Sequence, residues 1–244
     1  MMSRALASLL AVMMLASPLP ATDLAANECS IPNAADLAVN FHRVDSELYR
    51  GGRPAYREDV YMKFAAMGIR TVMNLEGGDQ AKREKAVVER VNLKLLEQKK
   101  EPLRFVSYPI NAYTEFMDAP STREITALFG EIQQAPKPIY LHCKHGRDRT
   151  GMVVLLYRLW RGESSFEDAY AEARYYHFSK WNFGLKRALE RYRAAEALKS
   201  LGEPPGTTSL GVCRPEKFAA AAAAAAATEK AAPSASAPSA PAKR

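Results

Sequence analysis

The chain has 244 residues, 48% of them hydrophobic and 25% charged, and a formal charge of +7. That balance excludes fibrous and wholly disordered classes and leaves a globular protein with one domain of ordinary size plus appendages. The surplus Lys and Arg residues are scattered through helical stretches with no long basic block. Nucleic acid is therefore not expected as a partner, and the surface is biased toward anionic substrates.

The chain opens Met1-Met2-Ser3-Arg4, followed by an apolar run from Ala5 to Ala16. A basic start and an apolar run of about 7–15 residues are the pattern of a secretory signal peptide, expected here over residues 1–21 with cleavage at Ala21 or Ala26. The run is shorter than the roughly 20 apolar residues of a membrane-spanning helix, so the mature chain is expected periplasmic or secreted, without a transmembrane segment. Cys29 and Cys213 bracket the expected domain, residues 36–204. In an oxidising compartment such a pair can bond, but sequence leaves open whether they meet.

Phe41 to Tyr49 reads as one extended segment, broken at Gly51-Gly52-Arg53-Pro54. Val60, Phe64 and Met67 mark a helix over 56–67 that stops at Gly68, and Ile69 to Leu75 is a β-prone run. Val87, Val88, Val91, Leu95 and Leu96 form the apolar face of a helix over 82–100. Leu103 to Ile110 is strand-like, and Asn111 to Pro120 a loop. Ser121 and Glu124 form a capping box that starts a helix ending near Ala135. Ile139-Tyr140-Leu141 is a short strand, and Gly151 to Trp160 is apolar nearly all round, the mark of a buried helix. A second capping box, Ser164 with Glu167, starts a helix through Tyr176, and a last helix is expected from Trp181 to Leu198. Residues 205–244, with alanines from Ala219 to Ala227 and then Pro and Ser, offer little to bury and are expected to be disordered. Strands alternate with helices, which gives the α/β class.

The segment His142-Cys143-Lys144-His145-Gly146-Arg147-Asp148-Arg149-Thr150-Gly151 joins a buried strand to a buried helix. The residues after Cys143 must turn tightly, so their amides can converge on an anion, backed by a helix N-terminus. Gly146 supplies conformational freedom, and Arg149 a planar fork for two phosphate oxygens. This setting favours a Cys143 thiolate, which can attack phosphorus and form a phosphocysteine. Lys144, His145, Gly146, Arg147, Asp148, Arg149 and Thr150 form the expected phosphate-binding set. An inert buried cysteine is the plain alternative, but it leaves Gly146, Arg149 and Thr150 at these spacings unaccounted for. A zinc site of His142, Cys143 and His145 lacks a nearby fourth ligand, and an anion nest repels a cation. No metal or organic cofactor is expected.

This stretch resembles the active-site signature of the protein tyrosine phosphatase superfamily: His-Cys, five residues, Arg, then Thr-Gly. Tyr49-Arg50-Gly51-Gly52-Arg53-Pro54 and Ile69-Arg70-Thr71-Val72-Met73-Asn74-Leu75 resemble its dual-specificity branch, so the likeness spans Phe41 to Arg161. It implies a central, mainly parallel sheet flanked by helices, with Cys143 as nucleophile and Arg149 as phosphate grip. The superfamily's general acid is an Asp on a loop before the signature, here Asn111 to Pro120. Asp118 is the preferred match and Glu115 the next, while the position directly after Tyr108-Pro109-Ile110 holds Asn111-Ala112. Asp148 is a third candidate, because lipid-active and broad-specificity bacterial members carry an Asp before the arginine. His142 is expected to orient the loop, and Thr150 to hydrogen-bond the thiolate.

Lys144 and Arg147 resemble basic loop positions of phosphatases acting on inositol phosphates and phosphoinositides, and Arg53, Arg174 and Lys180 would extend that patch. Tyr113 and Phe116 would instead wall an aryl phosphate. The expected substrate is an inositol polyphosphate or phosphoinositide, with phosphotyrosine the alternative. A non-catalytic phosphate-binding module would typically have lost the Cys or Arg of the signature. The Thr150-Gly151 ending argues against a sulfur-transfer or arsenate-reducing enzyme.

Overall fold

The computed structural model describes residue 29 and residues 31–111, 119–204 and 211–215. The expected signal segment, the alanine run, and Tyr113, Glu115, Phe116 and Asp118 lie outside the described residues. In chain order the elements are α1 (Ala34–Leu37), β1 (His42–Arg43), β2 (Leu48–Gly51), α2 (Glu58–Ala66), β3 (Thr71–Asn74), α3 (Gly78–Glu97) and β4 (Arg104–Ser107). Then come α4 (Thr122–Gln134), β5 (Ile139–His142), α5 (Asp148–Trp160), α6 (Phe166–Tyr175), α7 (Phe183–Glu190), α8 (Ala195–Leu198) and a 3-10 turn (Lys199–Leu201).

The sheet has the order β1-β2-β5-β3-β4, parallel throughout except for the antiparallel edge strand β1. Side chains alternate across it. Ile139 and Leu141 join Leu48 and Met73 in the core on the side of α4 to α7, while Tyr140 joins Tyr49 and Val72 against α2 and α3. Burial on both faces is why these strands read as apolar runs rather than alternating ones. Gly51, His142 and Asn74 are level in register, so the loops after β2, β5 and β3 leave the sheet along one edge. In parallel sheets that carboxyl edge is where ligands bind.

Several local expectations shift. The segment read as one strand over 41–49 is a hairpin, because Asp45 Oδ1 accepts from the amides of Glu47 (2.7 Å) and Leu48 (2.8 Å) and closes a turn. Helix α3 starts a turn before Lys82, since Gly77 (φ 74°) and Gly78 (φ 59°) swing the chain straight into it. Helix α5 starts at Asp148, ahead of Gly151. The cap of α6 is Ser165, whose Oγ accepts from Asp168 N at 3.1 Å, rather than Ser164 paired with Glu167. The single helix expected over 181–198 is two, because the chain turns extended at Ala194 (ψ 133°). That break accompanies burial of Tyr192 and placement of the Arg193 guanidinium over the Phe166 ring at 4.1 Å.

Cys29 and Cys213 are joined in a disulfide with a Cα–Cα distance of 5.4 Å. Residues 211–215, expected to begin a disordered tail, are held on the domain. Cys213 N donates to Val44 O (2.8 Å), and Arg158 Nη2 donates to Cys213 O (2.5 Å). Among the described residues no helix is long and apolar enough to cross a membrane.

Candidate active site

β5 delivers Cys143, 5% exposed and unpaired as a thiol, to the ligand edge of the sheet. The next three residues turn their carbonyls outward. Lys144 O accepts from Arg53 N (3.1 Å), His145 O from Asn40 Nδ2 (2.9 Å) and Gly146 O from Arg50 Nη2 (2.7 Å). In a planar trans peptide the C=O and the following N–H point in opposite directions. The amides of His145, Gly146 and Arg147 therefore face away from those three donors, into the loop. Successive inward amides capped by the start of α5 make an anion-binding nest.

Gly146 has φ 65°, and a Cβ there would lie 2.4 Å from Gly51 C and 2.6 Å from Gly52 N. Both the backbone conformation and the space demand glycine. The opposing Gly51-Gly52 turn is itself fixed. Gly52 N donates to Val39 O (2.7 Å), Tyr140 Oη to Gly52 O (2.5 Å) and Thr150 Oγ1 to Gly51 O (3.4 Å). The Thr150 hydroxyl, expected on the thiolate, is thus engaged with the turn that braces the loop.

Two buried polar groups underlie the loop. Arg50 is fully buried, with its guanidinium 3.8 Å from the centroid of the Tyr176 ring. Burial pulls its pKa below the usual value, while the neighbouring Tyr176, Glu172 and Cys143 pull it back up. Among the described residues its Nε and Nη1 have no hydrogen-bond partner. His142 is also fully buried. Its carbonyl accepts from Leu75 N (2.9 Å), and its Nε2 lies 3.0 Å from Glu84 Oε1. Glu84 accepts in addition from Tyr61 Oη (2.8 Å) and Asn74 Nδ2 (2.5 Å). Burial alone would raise the Glu84 pKa, but His142, Asn74 and Tyr61 outweigh it and hold the carboxyl below its ordinary value.

The remaining candidates divide. Arg149 Nη1 donates to Leu75 O (3.3 Å), which steers its side chain to the end of β3. Asp148 Oδ1 accepts from Ser179 N (2.7 Å), and Arg147 Nε donates to His177 O (3.0 Å). Lys144 and His145 are exposed. Arg53, expected to extend the basic patch, is instead paired with Glu76 through two contacts of 2.8 and 2.6 Å. Arg174 and Lys180 do lie beside the loop, lining one cleft with Arg147. Among the described residues, no three His, Cys, Asp or Glu side chains gather in a metal-holding group, His142, Cys143 and His145 included.

Asn40 and Glu84 were not singled out from sequence, and Arg50 only as part of the turn Tyr49 to Pro54. Glu84 had a signal, since it interrupts the apolar stripe Ala81, Val87, Val88, Val91 and Leu95, where a carboxylate must find buried partners. Arg50 had one too, as a cation inside a wholly buried strand. Asn40 had none, because its partner lies 105 residues away.

Residues 39–166 match the model of a tyrosine phosphatase family. The dual specificity protein phosphatase TpbA of Pseudomonas aeruginosa is 26% identical over 171 residues, which cover 67% of this chain and 68% of that protein. A crystal structure of a cysteine-to-serine variant of P. aeruginosa TpbA in complex with phosphotyrosine superposes with a TM-score of 0.52 at 18% identity, covering 72% of this chain and 96% of the other. The core catalytic domain of the PP-IP phosphatase SIW14 from S. cerevisiae, in complex with citrate, gives 0.50 at 17% identity over 64% and 86%. The sheet order, the cysteine at its carboxyl edge and the family match agree: this chain is a phosphatase of the tyrosine phosphatase family.

Proposed function

We propose that the protein is an exported phosphomonoesterase that works through a phosphocysteine and acts on inositol polyphosphates or phosphoinositides. The observation that carries the mechanism is the set of outward carbonyls at Lys144, His145 and Gly146, which turn the following amides to the inner side of the loop that starts at Cys143. A phosphate seated there is gripped by those amides and by the Arg149 fork. The Cys143 thiolate attacks phosphorus in line, and the S–P bond forms as the bond to the leaving oxygen breaks. For the proton of the leaving alkoxide Asp118 stands first and Glu115 next, ahead of Asp148, whose Oδ1 accepts from the Ser179 amide. Water then cleaves the S–P bond, releases phosphate and restores the thiolate.

The substrate class rests on charge. Lys144 and Arg147 flank the nest and, among the described residues, neither joins an ion pair. A single phosphate fills the nest, whereas further phosphates on the same polyol use these cations. Phosphotyrosine is the second reading, favoured by the 26% identity to a dual specificity protein phosphatase. Export is supported by the apolar run from Ala5 to Ala16 and by the Cys29–Cys213 disulfide, which persists in oxidising compartments.

The test is phosphate release from inositol hexakisphosphate, a phosphoinositide and a phosphotyrosine peptide, with Cys143→Ser as blank. Faster release from the inositol compounds supports the reading. Faster release from the peptide replaces it with phosphotyrosine, and no release above the blank from any of the three refutes the mechanism.

A further inference from the structure

Beside the phosphate loop lies an open cleft lined by Arg147, Arg174, His177, Ser179, Lys180 and Trp181. Its position follows from how α6 ends. His177 takes a left-handed conformation (φ 66°), with His177 N donating to Arg174 O (3.0 Å) and Phe178 N to Ala173 O (2.9 Å). This is the Schellman pattern that closes a helix and redirects the chain. Phe178 is then fully buried against Gly151, where even a Cβ would come within 3.1 Å of its ring. The Ser179 amide bonds Asp148, the His177 carbonyl accepts from Arg147, and the Phe178 carbonyl accepts from Arg174. Residues 177–181 are thereby fastened to the loop at both its Arg147 and its Asp148.

The cations of the cleft are not drawn into ion pairs. Among the described residues Arg147, Arg174 and Lys180 form no ion pair, although other cations nearby do: Arg53 holds Glu76, and Arg158 holds Glu163 and Glu172. Arg147 uses Nε on the His177 carbonyl, and a guanidinium carries five N–H groups, so the side chain has donors to spare for a ligand. Lys180 stands 5.0 Å from the Trp181 ring, which is 62% exposed, so its ammonium lies over a flat wall at the cleft. Converging cations on a braced backbone, with the one adjoining carboxylate, Asp148, held by the Ser179 amide, suit an anion at a fixed offset from the nest.

We infer that this cleft is a second anion site, which takes another phosphate of the polyol whose scissile phosphate sits in the nest, whether that polyol is free or a lipid headgroup. Arg147 belongs to both sites and sets the spacing between them. The inference rests on the polyphosphate reading above and adds to it the residues that would recognise the second group.

Binding is measured by calorimetry to the full chain carrying Cys143→Ser, with inositol hexakisphosphate, with vesicles containing phosphatidylinositol bisphosphate, and with inorganic phosphate. Lys180→Gln and Arg174→Gln are compared with Lys199→Gln, which removes the same charge from the 3-10 turn. Loss of one charge-assisted hydrogen bond lowers the ratio of polyphosphate to inorganic phosphate affinity about tenfold. Lys180→Gln is the cleaner variant, because Arg174 also braces the Phe178 carbonyl. The fall is expected for the soluble compound, the vesicles or both, and the probe that shows it identifies the source of the polyol. Ratios equal to those of Lys199→Gln overturn the site, and dependence on Lys180 for an acidic phosphotyrosine peptide alone overturns the polyol assignment. If hexakisphosphate binds through Lys180 but is not hydrolysed by the unmodified enzyme, the site stands and the substrate reading fails. If it is hydrolysed and Lys180→Gln behaves as Lys199→Gln, the substrate reading stands and the site falls.

Discussion

Replacing both Cys29 and Cys213 by serine opens the crosslink and leaves the Cys143 thiol in place. The bonded residues are 184 apart in sequence, so the disulfide restrains nearly the whole domain in its unfolded state. For a closed loop of that length the chain-entropy relation gives a loss of about 5 kcal/mol at room temperature. Against a total of about 5–15 kcal/mol for a domain, that is a large fraction. With a urea slope near the top of the range of about 1–3 kcal/mol per molar, the midpoint should fall by about 2 M. Urea titrations of the disulfide-bonded parent and the variant, followed by circular dichroism, read this directly. Activity at low urea should persist, because the phosphate loop is braced by the turn after β2 and not by residues 211–215. A shift below about 0.3 M with an unchanged slope would refute the loop-closure reasoning.

Three further outcomes are expected. Gly146→Ala places a Cβ within 2.6 Å of the Gly51-Gly52 backbone at positive φ. It should cost about 2–4 kcal/mol in thermal unfolding and abolish phosphate release, and near-normal turnover would contradict the close approach. His42 is held at a pKa of about 4 by burial, with Arg50 and Arg158 adding to the shift and Glu172 opposing it. Its contribution is therefore complete above the unfolded value of about 6.5 and is lost as pH falls from there to about 4, worth about 3 kcal/mol at most. His42→Gln should flatten that part of the urea midpoint's pH dependence, and an unchanged slope between pH about 7 and about 4.5 would speak against it. Asp118→Asn should lower kcat on an alkyl phosphate by about 10²–10⁴-fold but far less on p-nitrophenyl phosphate, whose leaving group needs little protonation. Equal losses on both would remove Asp118 as the acid.

What sequence made legible was local. The apolar run Ile139-Tyr140-Leu141, the spacing from Cys143 to Arg149 and the Ser121–Glu124 capping box each involve neighbours in the chain, and each stands where expected. The hairpin at Asp45 was missed because its turn is made by one side chain accepting two amides, and the apolar residues around it read equally well as a single strand. The break between α7 and α8 was missed for a different reason. Local propensity runs helical through Arg191 to Ala194, and what interrupts it is tertiary: Tyr192 buried, and Arg193 on Phe166 of another helix. In the site the same division holds. Cys143, Gly146 and Arg149 lie within seven residues of one another, whereas the groups that turn the loop's carbonyls outward come from Asn40 and Arg50, 105 and 96 residues distant.

Arg50 is where fold and chemistry pull against each other, and substitution there separates them. Its guanidinium is fully buried, with Nε and Nη1 lacking hydrogen-bond partners among the described residues and a tyrosine face as its main neighbour. A buried cation so poorly paired costs desolvation energy that an apolar side chain of similar length avoids. Arg50→Met should therefore leave the urea midpoint close to that of the parent, the relieved desolvation offsetting the cost of the orphaned Gly146 carbonyl. The same change strips Gly146 O of its donor, freeing the peptide that aims the Arg147 amide into the nest, and it removes a positive charge from beneath Cys143. One lost charge-assisted hydrogen bond is worth about 1.5–3 kcal/mol, so kcat/KM should fall by about 10–100-fold in a protein of nearly unchanged stability. Arg50→Lys keeps the charge without the fork and should recover part of that loss. If activity and stability instead fall together in Arg50→Met, Arg50 is a packing residue and the loop's geometry is set by the Gly51-Gly52 turn alone.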